Sequence, residues 1–260
     1  MSVTVPILSG GTLSLFLLVL LRMTGLFVFN PVLGREEIPV MLRAGLGLLC
    51  TLVVLPTLNA RADVSSAPQL VAEGLGELIV GVGLGVLLGL VIYVVQLAGE
   101  LIDMQMGLTM AQMYDAHSNV NMPLFGNFFN LVVLVVFFAG NAHLALVSFL
   151  SDSFKLIPPG TMQLRAGALQ FVAQLGRDYF DFGFRMALPV LAVEVVCQVA
   201  MGLLMRAVPT ISVFSIGMHL TALVGLVLLT LTAGQLTDMC GKLITFGMEK
   251  AAEWIKLLSG

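Results

Sequence analysis

The residues from Leu78 to Gly99 read LIVGVGLGVLLGLVIYVVQLAG, without one charged side chain. A helix needs about 20 mostly apolar residues to cross about 30 Å of hydrocarbon, and this stretch has that length. Because backbone amides find no water inside a bilayer, such a stretch must form a helix or a strand of a closed barrel. Its continuous apolar character, without the alternation of barrel strands, predicts a membrane-spanning helix.

Five further apolar stretches of similar length occur along the chain. They are Leu13–Phe29, Ile38–Leu58, Phe128–Leu150, Met186–Met205 and Ile211–Gln235. The longest polar linkers are Asn59–Gly76 and Ser151–Arg185, and neither is long enough for a soluble domain. The sequence therefore predicts an all-α polytopic membrane protein with six apolar spans.

The composition excludes several other classes of protein. Of 260 residues, 58% are apolar and 10% are charged, against about 25% charged in soluble domains. Mean hydropathy is +1.04, which leaves more apolar surface than soluble cores can bury. A soluble enzyme, a disordered chain and a disulfide scaffold are excluded together. The net charge of −3 and the lack of a basic run make nucleic acid an unexpected partner.

The distribution of charge bears on topology. No Lys or Arg precedes the first apolar stretch, so we expect no cleavable signal and a retained first helix. With six spans, the positive-inside rule favours both ends in the cytoplasm. Arg22, Arg43 and Glu194 nevertheless fall in or beside apolar stretches, where lipid would not accommodate them cheaply. We expect these charges to be buried against protein, with Glu194 in an ion pair with an arginine or, alternatively, acting as a proton relay.

Three glycines in the third stretch, Gly81, Gly85 and Gly89, recur at intervals of four and so share one helical face. Glycines at this spacing let two helix backbones approach closely. The pattern predicts a helix-packing face, either between subunits or within the chain. Gly83 lies on the other face of the helix, so Gly85→Leu is expected to disrupt assembly, measured as complex yield, more than Gly83→Leu.

Two segments are amphipathic rather than wholly apolar. Leu101–Tyr114 places Ile102, Met106, Met110 and Met113 on one helical face, and the pattern predicts a helix there. The segment from Asp238 to Leu258 carries lysines and glutamates among apolar residues. It is typical of a surface or partner-docking helix.

The loop Tyr114–Pro123 is too polar to face lipid, although apolar helices flank it on both sides. Non-helical backbone at such a place is expected to be buried in protein or to line a watery cavity. The loop and the segment before it are also rich in methionine, which adapts to changing shapes but is more often ordinary core packing.

The sequence lacks the motifs of known catalytic, metal-binding and nucleotide-binding sites. The histidines His117, His143 and His219 are scattered and lack metal-ligand spacing, and no nucleophile elbow, phosphate loop or dinucleotide fingerprint occurs. The three cysteines, Cys50, Cys197 and Cys240, are read as packing residues. We therefore predict no catalytic residue, no metal site, no cofactor and no enzymatic activity.

An ordered series of motifs resembles one known family. It comprises Ala98–Leu108, Asp115, Asn121–Pro123, Asn141–Leu144, Asp152–Phe154, Ala187–Val190, Gly202–Pro209 and Ser212–Gly217. On these motifs, the chain is similar from about residue 10 to 235 to the FliR/SctT family of type III secretion export-gate proteins, in its flagellar branch. The segment after about residue 235 matches no motif.

This resemblance implies a fold and a set of partners. Family members form bent helical hairpins in a helical hetero-oligomeric gate with FliP and FliQ. They work beside FlhB and FlhA at the flagellar basal body in the bacterial inner membrane, and unfolded flagellar proteins pass through the gate. By resemblance, residues 1–185 correspond to a FliP-like part and 186–260 to a FliQ-like hairpin with an amphipathic C-terminal helix. Protein neighbours would then surround Arg22, Arg43 and Glu194.

The resemblance also implies that the loop at about 110–122 plugs the closed pore. The plug or gate residues expected from it are Met106, Met110, Met113, Tyr114, Asp115, His117, Asn119, Asn121 and Met122. The alternative is an independent small-molecule transporter or channel, but the internal repeats typical of transporters are not found. An intramembrane hydrolase would need a nucleophile–base pair that the sequence lacks.

Overall fold

The computed structural model describes residues 10–29, 39–58, 66–109, 123–163, 167–207 and 217–259. These ranges are helical and contain no strand, so the predicted all-α class is confirmed. The helices are α1 Gly10–Phe29, α2 Val40–Val54, α3 Ala67–Gln105, α4 Leu124–Ala139, α5 Ala142–Leu156, α6 Gly167–Ala207 and α7 Met218–Leu258, with a 3-10 turn at Leu55–Thr57.

Four described helices, α1, α3, α6 and α7, are long and apolar enough to cross a membrane. Counting α4 and α5 as one broken span raises that number to five. The prediction of six spans is therefore wrong among the described residues, because α2 is too short. It ends before Pro56, whose missing N–H and fixed φ interrupt the α-helical ladder.

The predicted stretch Phe128–Leu150 is not one helix either. It breaks at Gly140 and Asn141, where Asn141 adopts the left-handed conformation with φ of 54°. Asparagine tolerates this region better than most residues, so the chain can start a second helix here. Hydropathy alone does not detect the break because both sides are equally apolar.

The three longest helices extend beyond the apolar stretches. α3 has 39 residues, and α6 and α7 have 41 each. At about 1.5 Å per residue each is about 60 Å long, roughly twice the thickness of the hydrocarbon. α3 thus begins inside the predicted linker Asn59–Gly76, and the predicted C-terminal amphipathic helix is the second half of α7.

The described residues divide into two compact units. Unit 1 is drawn from Met1–Leu90, Asn141–Leu175 and Thr245–Gly260, and unit 2 from Val91–Gly140 and Gly176–Ile244. The predicted division after residue 185, which rests on resemblance to partner proteins, stays a prediction.

In unit 1, α1 packs on the first part of α3 through glycines. A Cβ on Gly25 would lie 3.0 Å from the Val82 nitrogen, and one on Gly81 would overlap the Arg22 carbonyl oxygen. The C-terminal part of α7 packs on the same stretch of α3, because the indole of Trp254 lies against Gly83. Trp254 also stacks on Phe171 of α6, with ring centroids 5.8 Å apart.

In unit 2, the last part of α3 contacts α4 and α6. A Cβ on Gly99 would overlap the backbone of Gly126, and one on Gly183 would lie 3.2 Å from the Val94 carbonyl oxygen. The α3 and α4 backbones therefore touch at a pair of glycines. This contact brings the start of α4 to the end of α3.

Candidate functional site

The guanidinium of Arg22 is buried in unit 1, with a relative exposure of 1%. It forms a two-pronged ion pair with Glu77 of α3, in which Nε donates to Oε2 and Nη2 donates to Oε1 at 3.0 Å. Two backbone carbonyls accept its remaining hydrogen bonds, Ser153 at 3.2 Å and Ile157 at 3.0 Å. The guanidinium carbon also lies 4.2 Å from the ring centroid of Phe154. Arg22 thus ties α1 to α3 and to the end of α5.

The Glu77 carboxylate is fully buried and is held from a second side. Its Oε1 accepts a hydrogen bond from the Gly160 amide at 2.9 Å. Gly160 has a φ of 84°, a left-handed conformation that glycine adopts without steric cost. Because every charged group here has several partners, this set satisfies the conditions under which a buried ion pair is stable. We call Arg22, Glu77, Phe154 and the three backbone groups the Arg22 cluster.

Glu194 of α6 is also fully buried, but neither of its carboxylate oxygens accepts a hydrogen bond from a described residue. The expected ion pair with an arginine is therefore not observed in the described part of the chain. Arg22 pairs with Glu77 instead, and Arg185 pairs with Asp181 on its own helix at 2.8 Å. Arg43 lies half-buried in α2.

The glycine stripe of α3 packs within the chain. Gly81 lies against the Arg22 backbone, and Gly85 and Gly89 are buried. Of the two alternatives left open by the sequence, packing within the chain is observed at Gly81. The greater effect expected for Gly85→Leu than for Gly83→Leu stays a prediction. Gly83 is also packed, because a Cβ there would approach Cε2 of Trp254 to 2.6 Å.

The segment before the predicted plug ends in a fixed turn. α3 stops at Gln105, and Gly107 has a φ of 75°, which redirects the chain. The predicted continuous helix Leu101–Tyr114 is therefore wrong at this turn. Met106 is buried with its side chain against Gly225, and its carbonyl accepts a 3.4 Å hydrogen bond from Thr221. The Gln105 carbonyl accepts a further hydrogen bond from the Gln198 amide at 3.2 Å.

The segment after the predicted plug is fixed by one carboxylate. The Phe125 amide of α4 donates to both oxygens of Asp103, at 3.1 and 3.3 Å, and the amides of Leu124 and Gly126 also interact with them. Asp103 is fully buried near the end of α3. The other plug or gate residues expected from the sequence, Met110, Met113, Tyr114, Asp115, His117, Asn119, Asn121 and Met122, lie outside the described residues.

A charged cleft of about 380 Å³ lies between α6 and α7 in unit 2. It is lined by Asp181, Phe182, Arg185, Gln235, Asp238, Met239 and Lys242. A half-open cleft with four charged residues is unfavourable in hydrocarbon, so water or protein is expected to face it.

The comparison with known proteins agrees with this picture of an apolar helical chain. The family model described as bacterial export proteins, family 1, matches residues 13–246. The chain belongs to this family. It is 30% identical over 233 residues to a protein of Escherichia coli (strain K12) named flagellar biosynthetic protein FliR, covering 90% of this chain and 89% of that protein.

Two further relatives of this export protein come from other bacteria, and one of them is named for a secretion system rather than for flagella. A flagellar biosynthetic protein FliR of Bacillus subtilis (strain 168) is 28% identical, covering 82% of this chain and 84% of the relative. The secretion system apparatus protein SsaT of Salmonella typhimurium is 29% identical, covering 60% of each chain. The resemblance inferred from the motifs is confirmed.

Sequence reasoning missed three residues that organise this export protein. Glu77, the partner of Arg22, lies just before the apolar stretch that begins at Leu78, so the hydropathy pattern does not mark it as a buried group. Asp103 belongs to the motif Ala98–Leu108, which does not predict its contact with α4. The sequence feature that could have indicated such a contact is Pro123. It stands before the first residue of α4, and its side chain cannot cap a helix, so the α4 amides need another acceptor. Thr221, which binds the Met106 carbonyl, carried no signal.

Proposed function

We propose that this protein is a structural and gating subunit of the flagellar type III protein export channel in the bacterial inner membrane. The observation that carries the proposal is the family match, which runs through nearly the whole chain. Relatives named for flagellar biosynthesis and for a secretion apparatus support it. Nothing in these comparisons favours the alternative, an independent small-molecule transporter.

In this proposal the chain assembles with FliP and FliQ, and works beside FlhA and FlhB at the flagellar basal body. Unfolded flagellar proteins pass through the assembled channel, and membrane lipid surrounds only part of it. Helices about twice as long as the hydrocarbon is thick support this arrangement, because their ends need surroundings other than lipid. The consecutive long helices α6 and α7 fit the FliQ-like hairpin expected for residues 186–260. The chain performs no catalysis, and the proton gradient and an export ATPase supply the energy.

We assign the plug of the closed channel to residues 110–122. A pore for unfolded polypeptide must be shut against ions at rest, and this segment has no lysine or arginine that would need a fixed counter-ion. Its methionines can adapt to changing surfaces, and its asparagine amides can bind freed backbone groups. Met106, buried against Gly225, anchors the segment where α3 ends.

The first test concerns assembly. We expect the chain to aggregate or to be degraded when expressed alone, and to elute as one large complex when co-expressed with FliP and FliQ. Partner subunits bind the folded state and stabilise it by mass action. The measurement is size-exclusion chromatography in detergent. A monodisperse and long-lived monomer would argue against the channel assignment.

The second test concerns the plug. Deleting residues 111–120 is expected to leave the complex assembled while cells expressing it leak small ions. Membrane potential and potassium efflux are measured in cells that carry the wild-type or the shortened chain at equal complex yield. If the shortened complex assembles and stays as tight as the wild type, the segment is only a connector.

A further inference from the structure

The start of α4 lacks the usual local cap. The first amides of a helix have no partner within the helix, and Ser, Thr, Asp or Asn normally supplies one from the position before it. Pro123 occupies that position and forms no side-chain hydrogen bond to the helix. Phe125 and Gly126 are buried, so water does not supply the missing acceptor.

Asp103 supplies that acceptor from another helix. Both of its oxygens accept from the Phe125 amide, although the two residues are 22 positions apart in the sequence. A carboxylate two residues before the end of α3 faces the negative end of its own helix dipole, which is unfavourable. The positive end of α4 offsets that cost, so the two helix ends stabilise the same charge.

The surrounding packing leaves little freedom in this contact. Gly99, four residues before Asp103, lies so close to the Gly126 backbone that a Cβ added at Gly99 would overlap it. On the other side, the Thr221 hydroxyl and Gly225 hold Met106. The residues on both sides of the segment 107–122 are thus held by contacts among α3, α4 and α7. Met106 precedes the segment and contacts α7, and the start of α4 follows it and contacts α3.

We infer that Asp103 is a positioning residue for the gate: it fastens the start of α4 to the end of α3, and so fixes the distance between the two ends of the plug segment. This inference rests on the proposed function, in which residues 110–122 close the channel. The role of Asp103 in joining α3 to α4 is separate from its role as an acceptor for the first amides of α4. A local cap would satisfy the α4 amides equally well without joining the two helices.

The experiment uses the complex with co-expressed partners and compares four variants. Asp103→Ala removes the acceptor, Asp103→Asn keeps one acceptor oxygen, and Asp103→Ala with Pro123→Ser replaces the shared acceptor by a local cap. Glu100→Ala is the matched control, because this neighbouring carboxylate accepts a hydrogen bond from Gln96 of its own helix, at 3.1 Å. Complex yield and ion leak are measured for each.

We expect Asp103→Ala to raise the leak at least about tenfold, which is the low end of the factor that corresponds to one lost hydrogen bond to a charged group. Asp103→Asn should stay within about twofold of the wild type, since it keeps an acceptor. Glu100→Ala should be as tight as the wild type. The decisive variant is Asp103→Ala with Pro123→Ser, which should assemble well and still leak.

Several outcomes would overturn the inference. A tight Asp103→Ala, Pro123→Ser complex would mean that Asp103 only caps α4, and this variant also decides the matter if Asp103→Ala alone fails to assemble. If the double variant Asp103→Ala, Pro123→Ser also failed to assemble, Asp103 would have a purely structural role. The deletion of 111–120 separates the two proposals. If the deletion leaks and the double variant does not, only the inference fails, whereas a tight deletion overturns the plug itself.

Discussion

Replacing Glu77 with alanine is expected to remove most of the folded protein. The change leaves the Arg22 guanidinium in unit 1 with two carbonyls and an aromatic ring, but without a counter-charge. Removing one partner of a buried ion pair costs about 3–5 kcal/mol, which is a large share of the 5–15 kcal/mol that stabilises a typical fold. The measurement is the yield of detergent-stable complex and its thermal unfolding.

Asp181→Ala provides the control for Glu77→Ala. It breaks the Arg185–Asp181 pair, whose side chains are 70% and 58% exposed. Such pairs contribute about 1 kcal/mol or less, so the yield is expected to stay near that of the wild type. Equal losses for the two variants would show that the Arg22 cluster does not hold unit 1 together.

Replacing Gly81 with alanine is the second change expected to have a large effect. The added Cβ would overlap the Arg22 carbonyl oxygen, a backbone atom that cannot move without separating α1 from α3. Overpacking of this kind costs about 1–3 kcal/mol, and here it would also pull Arg22 away from Glu77, one helical turn before Gly81. Thermal unfolding of the complex measures the loss.

The control for Gly81→Ala is Gly45→Ala in α2, where nothing lies within 4 Å of the added Cβ. Alanine favours the helix over glycine by about 0.5–1 kcal/mol, so this variant is expected to be neutral or slightly stabilised. Combining Gly81→Ala with Glu77→Ala should cost less than the two changes summed, because both act on Arg22. Strict additivity would contradict that coupling.

The sequence predicted the helical class and the apolar parts of the helices because hydropathy measures the free energy of leaving water. It did not predict where α3, α6 and α7 begin and end. Outside the hydrocarbon a helix can carry charged residues, so hydropathy does not mark its ends. The break at Asn141 was missed for a related reason. Backbone conformation there depends on one residue, whereas hydropathy averages over many.

The candidate site was predicted unevenly. Burial of Arg22 and Glu194 follows from the cost of charge in an apolar stretch, and the structure places both in the interior. Their partners could not be predicted, because Glu77 is 55 residues from Arg22 and only the packing of α1 on α3 brings them together. The plug segment came from family resemblance, and its attachment through Asp103 required the structure.

The packing of Trp254 gives this protein a built-in spectroscopic reporter. It is the single tryptophan of the chain, it is buried between Gly83 and Phe171, and its indole N–H has no acceptor among the described residues. Incorporation of fluorotryptophan into this subunit alone would therefore give one fluorine resonance from the interior of unit 1. Its chemical shift would follow the contact between α3 and α7 inside an intact assembly, without a cysteine label or a change of sequence.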